Sequence, residues 1–272
     1  QRLVAQDASI PQPDSTAVIS GVREYSFANR GILRSLDILG TPAMVQDVDE
    51  PTLFELYAMH SKGVACLLVK QTELGWSKDN KVPTFGYDAN NDAVAAIPEG
   101  YAGTISQHAD VQAYLTLRLL RNALDGADIS LGISTADDAG NVLEDDTYTY
   151  NEDERSYYAT NVPVTSDNYQ DFSDSTKIYE GASKQLDSSK SPTKKVWLDI
   201  YNAADNFLSS TYQPLLQKYD DLLNLDVDYI GGDGQTESNI TNRLGNPSEY
   251  DAYAINMVKT DNASSYTSLL SQ

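Results

Sequence analysis

The chain has 272 residues, of which 40% are hydrophobic, and it carries a formal net charge of −21. This apolar content is enough to bury one or two cores, so a disordered chain is excluded. Nucleic acid is excluded as a partner, because so acidic a protein would repel phosphate groups.

The single cysteine excludes an internal disulfide. Cys66 lies in the run VACLLV, which predicts a buried apolar side chain. No window approaches 18 consecutive apolar residues, so we expect a protein that does not span a membrane.

The N-terminal part of the chain predicts two helices followed by a strand. Gly31 is typical of a helix C-cap, and Pro51 is typical of a first helical turn. The continuous apolar run Val64–Val69 is typical of a parallel strand that is covered on both faces. The predicted elements are helices at 16–31 and 49–60 and a strand at 64–69.

The stretch from Val82 to Gly126 predicts a strand, a short helix, a second strand and a long helix. This order and spacing are typical of the βαβ unit of a parallel sheet. Side chains just past the carboxyl ends of such strands face the crevice where ligands bind. Asp88 and Gln107 occupy those two positions. The predicted elements are a strand that ends at 88, a helix at 92–97, a strand at 101–106 and a helix at 110–124.

After Gly126 the pattern changes and then begins again. Residues 173–194 are polar and rich in Ser, Lys and Asp, which is the composition of a linker. Strands are predicted at 129–133 and 148–150, with a strand running into a short helix at 161–172. A second αβ pattern follows, with strands at 195–201, 227–231 and 253–256 and helices at 207–223, 236–244 and 262–270.

Several of these tracts resemble one protein family. The tract KVWLDIYNAADNFLSSTYQPLLQKY resembles the opening strand and helix of bacterial periplasmic sugar-binding proteins of the galactose/glucose-binding type. GGDGQTESNITNRL followed by AINMVKTDNASS is similar to their next strand, helix and strand. The family's closing segments are similar to VPTFGYDANNDAVAAIPEGYAGTISQHADVQAYLTLRLLRNALDG and VPVTSDNYQDF, and its second-lobe loop and helix to QPDSTAVISGVREYS.

The resemblance implies an α/β, two-lobed periplasmic-binding-protein-like fold with parallel sheets flanked by helices, in permuted order. The family's second half comes first here and its first third comes last, as in a circular permutant or a fusion of two copies. One segment after the third strand of the first lobe has no counterpart, and neither has the family's calcium loop. The implied domains are a second, C-terminal-type lobe at 1–106 plus 160–172, a linker at 173–194, and a first, N-terminal-type lobe at 107–159 plus 195–272.

The resemblance also implies a set of sugar-binding residues. Sugar recognition needs planar aromatic faces for the C–H patches of the ring and polar groups for its hydroxyls. The implied residues are Tyr201, Asp205 and Phe207 in the first lobe and Asp14, Gln71, Asp88 and Gln107 in the second.

Some of these positions have a second interpretation. Asp88 and Asp205 could each be the N-cap of the helix that follows. Trp197 is predicted to be a core residue. No histidine has metal-ligand spacing around it, so we expect no metal and no cofactor. Where the family has a histidine, an arginine and a tryptophan, the equivalents are Gln12, Val18 and Val48.

The resemblance implies a non-catalytic carbohydrate-binding protein that closes by a hinge around a small sugar. It implies a partner that is an ABC transporter permease or a membrane receptor, and a periplasmic or extracellular location, for example as a cell-surface lipoprotein of a Gram-positive bacterium. The substitutions at the site leave a second hypothesis open, a ligand-free or partner-binding sensory or scaffold module. A third is a glycoside-acting enzyme with paired carboxylates.

Overall fold

The computed structural model describes residues 64–75, 84–143, 145–231, 247–256 and 263–271. The predicted helices at 16–31, 49–60 and 236–244 lie outside these residues. The described helices are α1 (Val64–Glu73), α2 (Asn91–Ala96), α3 (Ala109–Asp125), α4 (Gln213–Leu222) and α5 (Ala263–Leu270). The described strands are β1 (Thr104–Ser106), β2 (Tyr148–Asn151), β3 (Ser156–Ala159), β4 (Val162–Val164), β5 (Lys194–Ile200), β6 (Leu225–Gly231) and β7 (Ala252–Ile255).

The chain divides into two compact units, residues 1–106 with 162–174 and residues 107–161 with 175–272. In the first unit β1 pairs antiparallel with β4, and Phe85 forms an isolated parallel bridge to Gly103. The predicted strand running into a short helix is confirmed, because a 3₁₀ helix at Tyr169–Phe172 follows β4. The core of this unit joins α1, α2 and β4 through Leu67, Ala93, Val94, Ile97, Tyr101 and Val164.

The strand predicted at Val64–Val69 is wrong, because these residues form α1. A short apolar run cannot distinguish a strand from a buried helical segment, and the Ala, Leu and Lys residues here favour a helix. Leu67 and Gln71, one helical turn apart, are the buried residues of α1. Cys66 is exposed on another side of the helix, so its predicted burial is also wrong.

The second unit is built on a parallel three-stranded sheet in the order β6–β5–β7. Its three strands agree with the strands predicted for this part of the sequence, and α4 and α5 agree with two of the predicted helices. In the sheet register Trp197 lies between Asp228 of β6 and Tyr253 of β7. Every residue of β5 from Val196 to Ile200 is buried, as expected for a strand with both faces covered.

The two faces of β5 are covered by different helices. Val196, Leu198 and Ile200 point into the main core of the unit, to which α3 and α4 contribute. Trp197, on the opposite face, packs with Tyr266 of α5, which confirms that this tryptophan is a core residue. The side chains that α3 and α4 contribute include Val111, Tyr114, Leu117, Leu215, Leu216 and Tyr219.

A tyrosine-rich hairpin, β2 and β3, also belongs to the second unit. Tyr150 lies opposite Tyr157 in its antiparallel register, and their ring centroids are 4.6 Å apart. The weak strand predicted at 129–133 is wrong, because these residues form successive turns with one isolated bridge between Leu131 and Thr135.

The polar segment predicted as a linker is bound along one side of the second unit. The backbone N–H of Tyr179 donates to the hydroxyl of Tyr219, at 2.9 Å, and that of Leu186 donates to the carbonyl of Leu222, also at 2.9 Å. The side-chain amide of Asn224 donates to the carbonyl of Leu186 at 3.0 Å. These contacts hold residues 175–194 against α4 and the residues that follow it. The role of this segment as a connection between lobes stays a prediction.

The side chain of Arg121 on α3 is fully buried and joins four parts of this unit. Its Nε and one terminal nitrogen donate to the carboxylate of Asp125, at 2.9 and 2.8 Å. Its other terminal nitrogen donates to the carbonyls of Pro192, Leu223 and Asn224, at 2.9, 3.3 and 3.1 Å. The planar guanidinium therefore holds the end of the polar segment and the start of β6 against α3.

Arg121→Met should lower the free energy of unfolding by about 3–5 kcal/mol, because it removes two charge-assisted hydrogen bonds to Asp125 and the donor of the buried carbonyl of Leu223. Urea denaturation measures this change. The matched control is Arg155→Met at an exposed turn, which should change the stability by less than about 0.5 kcal/mol. A loss at Arg121 no larger than that of the control would contradict the structural role assigned to this side chain.

A half-buried contact joins α4 to β6. The hydroxyl of Tyr229 donates to the carboxylate of Asp220 at 2.5 Å. Burial raises the pKa of Asp220 to about 6, from an ordinary value of 3.8. The folded state therefore binds this proton more tightly than the unfolded chain does, and stability is lost as the pH rises from about 4 to above 6.

Asp220→Asn should raise the melting temperature at pH 8 and leave it nearly unchanged below about pH 4, because asparagine accepts the same hydrogen bond without a charge. Thermal melts across this pH range measure the difference. Asp187→Asn is the control of opposite sign, since hydrogen bonds from Ser189 lower the pKa of Asp187, and it should not raise the melting temperature at pH 8. An equal gain for Asp220→Asn at both pH values would show that charge is not the cause.

Candidate functional site

The second unit contains a cavity of about 380 Å³ at the carboxyl ends of β5 and β7. Its wall includes Leu198 and Asp199 from β5 and residues 254–256 at the end of β7. Because β6 and β7 lie on opposite sides of β5, the strand order reverses beside β5, and ligand crevices of parallel sheets form at such a point. The volume is within the range of about 300–1,000 Å³ that is usual for small-molecule pockets.

The rest of the cavity wall is helical. Gln112 and Thr116 come from α3, and Phe207, Leu208 and Tyr212 come from the segment that leads into α4. The residues Leu208–Tyr212 form a π-helix, in which the backbone N–H of Gln213 donates to the carbonyl of Leu208. Such wide turns in helices are frequent at functional sites.

Pro214 gives a physical reason for the π-helix. A proline has no N–H, and in an α-helix its ring would crowd the carbonyl four residues earlier, that of Ser210. Widening the turn before Pro214 relieves this clash while the helix continues into α4.

The π-helix brings two aromatic rings together. Two residues five apart in an α-helix point about 140° away from each other, whereas an i→i+5 repeat places them on the same side. The rings of Phe207 and Tyr212 are stacked with an interplanar angle of 12° and a centroid distance of 6.2 Å. The cavity therefore has an aromatic face that an ordinary helix would not form.

A chain of hydrogen bonds runs along the α3 side of the cavity. The hydroxyls of Tyr212 and Thr116 are 3.1 Å apart, and the hydroxyl of Thr116 donates to the carbonyl of Gln112 at 2.8 Å. The amide nitrogen of Gln112 donates to the carbonyl of Gln107 at 2.7 Å. Burial raises the pKa of Tyr212, so its phenol stays protonated at neutral pH.

Asp199 is the fully buried carboxylate of the wall. One of its oxygens accepts a hydrogen bond from the hydroxyl of Tyr266 at 2.7 Å, which ties the site to α5. The prediction from sequence missed this residue, although a carboxylate inside the apolar run VWLDI must have a polar partner. It also missed Gln112, Thr116, Tyr212 and Asn256.

The predicted first-lobe residues lie together in the second unit. Phe207 lines the cavity, and Tyr201 directly follows β5. Gln107, which the resemblance assigned to the second lobe, lies in this same unit, and its carbonyl accepts a hydrogen bond from Gln112. Asp205 is an N-cap, because its carboxylate accepts a hydrogen bond from the backbone N–H of Leu208 at 3.0 Å. The capping interpretation of Asp205 is therefore correct, and its role in ligand binding stays a prediction.

The remaining predicted residues do not belong to this unit. Gln71 is buried on α1, and its amide nitrogen donates to the hydroxyl of Thr84 at 3.4 Å. Asp88 has a φ of +81° and is half-buried, and it is not the cap of α2, because Asn90 accepts the hydrogen bond from Ala93. The capping interpretation of Asp88 is wrong. Asp14 lies outside the described residues, as do Gln12, Val18 and Val48.

Within the part of the chain that the structure describes, no group of three or more His, Cys, Asp or Glu side chains could hold a metal ion. The helices in the same ranges include none with both the length and the apolar character needed to cross a membrane.

Residues 193–263 match a family model described as a periplasmic binding protein domain. The matched segment includes β5, the π-helix, β6 and β7, and so it contains the sheet and most of the cavity wall. The match supports the periplasmic binding protein family in general, a solute-binding role with a small-molecule ligand, and an extracytoplasmic location.

Asp205→Ala should lower the free energy of unfolding by about 1 kcal/mol, because it removes the hydrogen bond that caps the helix. Asp205→Asn retains an oxygen at this position and should keep most of the stability. Chemical denaturation of the two variants measures the difference. Equal losses for both would show that the carboxylate charge, not the cap, provides the stabilisation.

Proposed function

We propose that this chain is a non-catalytic carbohydrate-binding protein of the periplasmic type, which closes by a hinge around a small sugar. The observation that carries the proposal is the cavity with an aromatic face at the carboxyl edge of a parallel sheet. Most of its wall lies in the segment that matches a periplasmic binding protein domain. Proteins of this family in general bind solutes without performing chemistry.

The chemistry of the wall suits a sugar. An aromatic face such as that of Phe207 stacks on the apolar C–H patch of a pyranose, and neighbouring polar groups bind its hydroxyls. Gln112, Thr116 and Asn256 provide amide and hydroxyl groups in the same wall. Buried polar groups of this kind discriminate between epimers, because the wrong epimer leaves one of them without a partner.

In this proposal the two compact units are the two lobes, in permuted order, and the polar segment 173–194 connects them. Closure brings the first-lobe residues Tyr201, Asp205 and Phe207 and the second-lobe residues onto one sugar and excludes water. A sugar of the glucose or galactose type fits the resemblance. The bound sugar would pass to an ABC transporter permease or be reported to a membrane receptor, and the protein would be periplasmic or a cell-surface lipoprotein. The resemblance assigns Asp14, Gln71, Asp88 and Gln107 to the second lobe, and of these Gln107 lies in the same compact unit as the first-lobe residues.

Thermal-shift screening of the full chain against mono- and disaccharides tests the proposal. A sugar at a hundred times its Kd should stabilise the fold by about 2.7 kcal/mol, because it binds the folded state preferentially. Phe207→Ala should abolish the shift, since it removes the stacking face. Ile129→Ala at an exposed position is the control and should retain the full shift.

Asp205→Asn serves as a second variant, because it keeps the cap and changes the carboxylate that is proposed to bind hydroxyls. Loss of the sugar-dependent shift in this variant, at unchanged stability, would support the ligand role. No shift with any saccharide would favour the ligand-free or partner-binding module instead. Release of reducing sugar from a glycoside would favour the enzyme hypothesis.

A further inference from the structure

The hydrogen bonds along the cavity wall determine which of its groups still act as donors. Thr116 has one hydroxyl proton, and this proton is donated to the carbonyl of Gln112 at 2.8 Å. In the contact of 3.1 Å between the hydroxyls of Thr116 and Tyr212, Tyr212 must therefore be the donor. The phenol proton points at Thr116, and the lone pairs of the Tyr212 oxygen are left as acceptors.

The donor and acceptor of the Gln112 side chain can be assigned by the same reasoning. Its side chain contacts the carbonyl of Gln107 at 2.7 Å, and a carbonyl can only accept. The atom that faces Gln107 must be the amide nitrogen, which leaves the amide oxygen of Gln112 as an acceptor on the other arm of the group. The wall thus has an acceptor on α3, the amide oxygen of Gln112, and an acceptor in the π-helix, the hydroxyl oxygen of Tyr212.

The charge of the wall has the same sign as these acceptors. Among the described lining residues there is one carboxylate, that of Asp199, and no lysine, arginine or histidine. The whole chain carries a formal net charge of −21. An anionic ligand would meet repulsion and would find few donors, whereas a ligand rich in O–H or N–H groups would find acceptors.

We propose that Tyr212 and Gln112 make this cavity an acceptor site that selects ligands by their donor groups and excludes anionic sugars. This inference rests on the proposed solute-binding function and adds a ligand class to it. Neutral or ammonium-bearing sugars enter, while uronates and sugar phosphates do not. Tyr212 is a specificity-determining residue, because its bond to Thr116 fixes the direction in which its proton points. The raised pKa of Tyr212 preserves this direction at neutral pH.

The test compares three sugars of similar shape, D-glucose, D-glucosamine and D-glucuronate, with the parallel galactose series. Calorimetric titration of the full chain at constant ionic strength and about pH 6 should show binding of the neutral and amino sugars. The uronates should bind at least about tenfold more weakly. Uronate binding equal to or tighter than that of the neutral sugar would overturn the inference and leave the solute-binding proposal standing. Binding of no sugar in either series would overturn both.

Two variants separate the direction of the proton from general damage to the wall. Tyr212→Phe keeps the ring stacked on Phe207 and removes the acceptor, so neutral sugars should bind about three- to tenfold more weakly. Tyr158→Phe, at an exposed tyrosine whose hydroxyl bonds Glu154, is the matched control and should bind like the unaltered chain. An equal effect of the two substitutions would overturn the assignment of Tyr212.

Thr116→Val removes the acceptor of the Tyr212 proton, so the phenol becomes free to donate into the cavity. The ratio of uronate to neutral-sugar affinity should then rise by about threefold or more. If Thr116 had a purely structural role, the substitution would lower the affinity for both ligands in parallel and leave their ratio unchanged. That result would contradict the proposed direction of the Tyr212 proton.

Discussion

Strand β5 is buried on both faces and hydrogen-bonded on both edges, and the second unit is arranged around this constraint. A strand in this position is mostly apolar where both faces are covered, and its one buried carboxylate, Asp199, is paired with the hydroxyl of Tyr266. The strand also has one neighbour on each side. Since β6 and β7 take those two places, the strand order reverses beside β5, and ligand crevices form at the carboxyl edge of a parallel sheet at such a point. The position of the cavity thus follows from the topology of three strands, and its chemistry follows from the helices that close it.

The sequence predicted the αβ pattern of this unit well, because its elements have strong periodicity or clear ends. The long helix α3 ends at a glycine with positive φ, Gly126, and β5 contains the apolar run Val196–Leu198 followed by Ile200. Prediction failed at Val64–Val69, where a short apolar run has no period that separates a strand from a helix. It also failed to anticipate the contacts of residues 175–194. The apolar side chains of this segment that pack on the core include Ala182 and Leu186, but they lack the regular spacing that predicts a helix or a strand. Hydrogen bonds, including those to Arg121 and Asn224, complete its contacts.

The site was predicted only in part for a similar reason. Family resemblance identified Phe207, which lines the cavity, and it identified Asp205, which the structure shows as a helix cap. It could not identify Thr116 and Gln112, because they lie on α3, far away in sequence from β5. Tyr212 was hidden for another reason. An α-helical pattern would place it about 140° from Phe207, and only the π-helix brings the two rings together.

The π-helix makes the ligand face sensitive to chain length as well as to side-chain identity. Downstream of it, α4 is anchored by buried Leu215, Leu216 and Tyr219 and cannot turn. Removing one of the residues between Leu208 and Tyr212 would leave Phe207 and Tyr212 four residues apart, which an ordinary α-helix places about 40° apart, on the same side. Adding one residue would instead rotate everything upstream by about 100° around the helix axis. After such an insertion Phe207 would leave the cavity while the sheet and its core stayed intact. A single-codon insertion in this short stretch is therefore a route by which related chains could lose or reshape a binding surface without losing their fold.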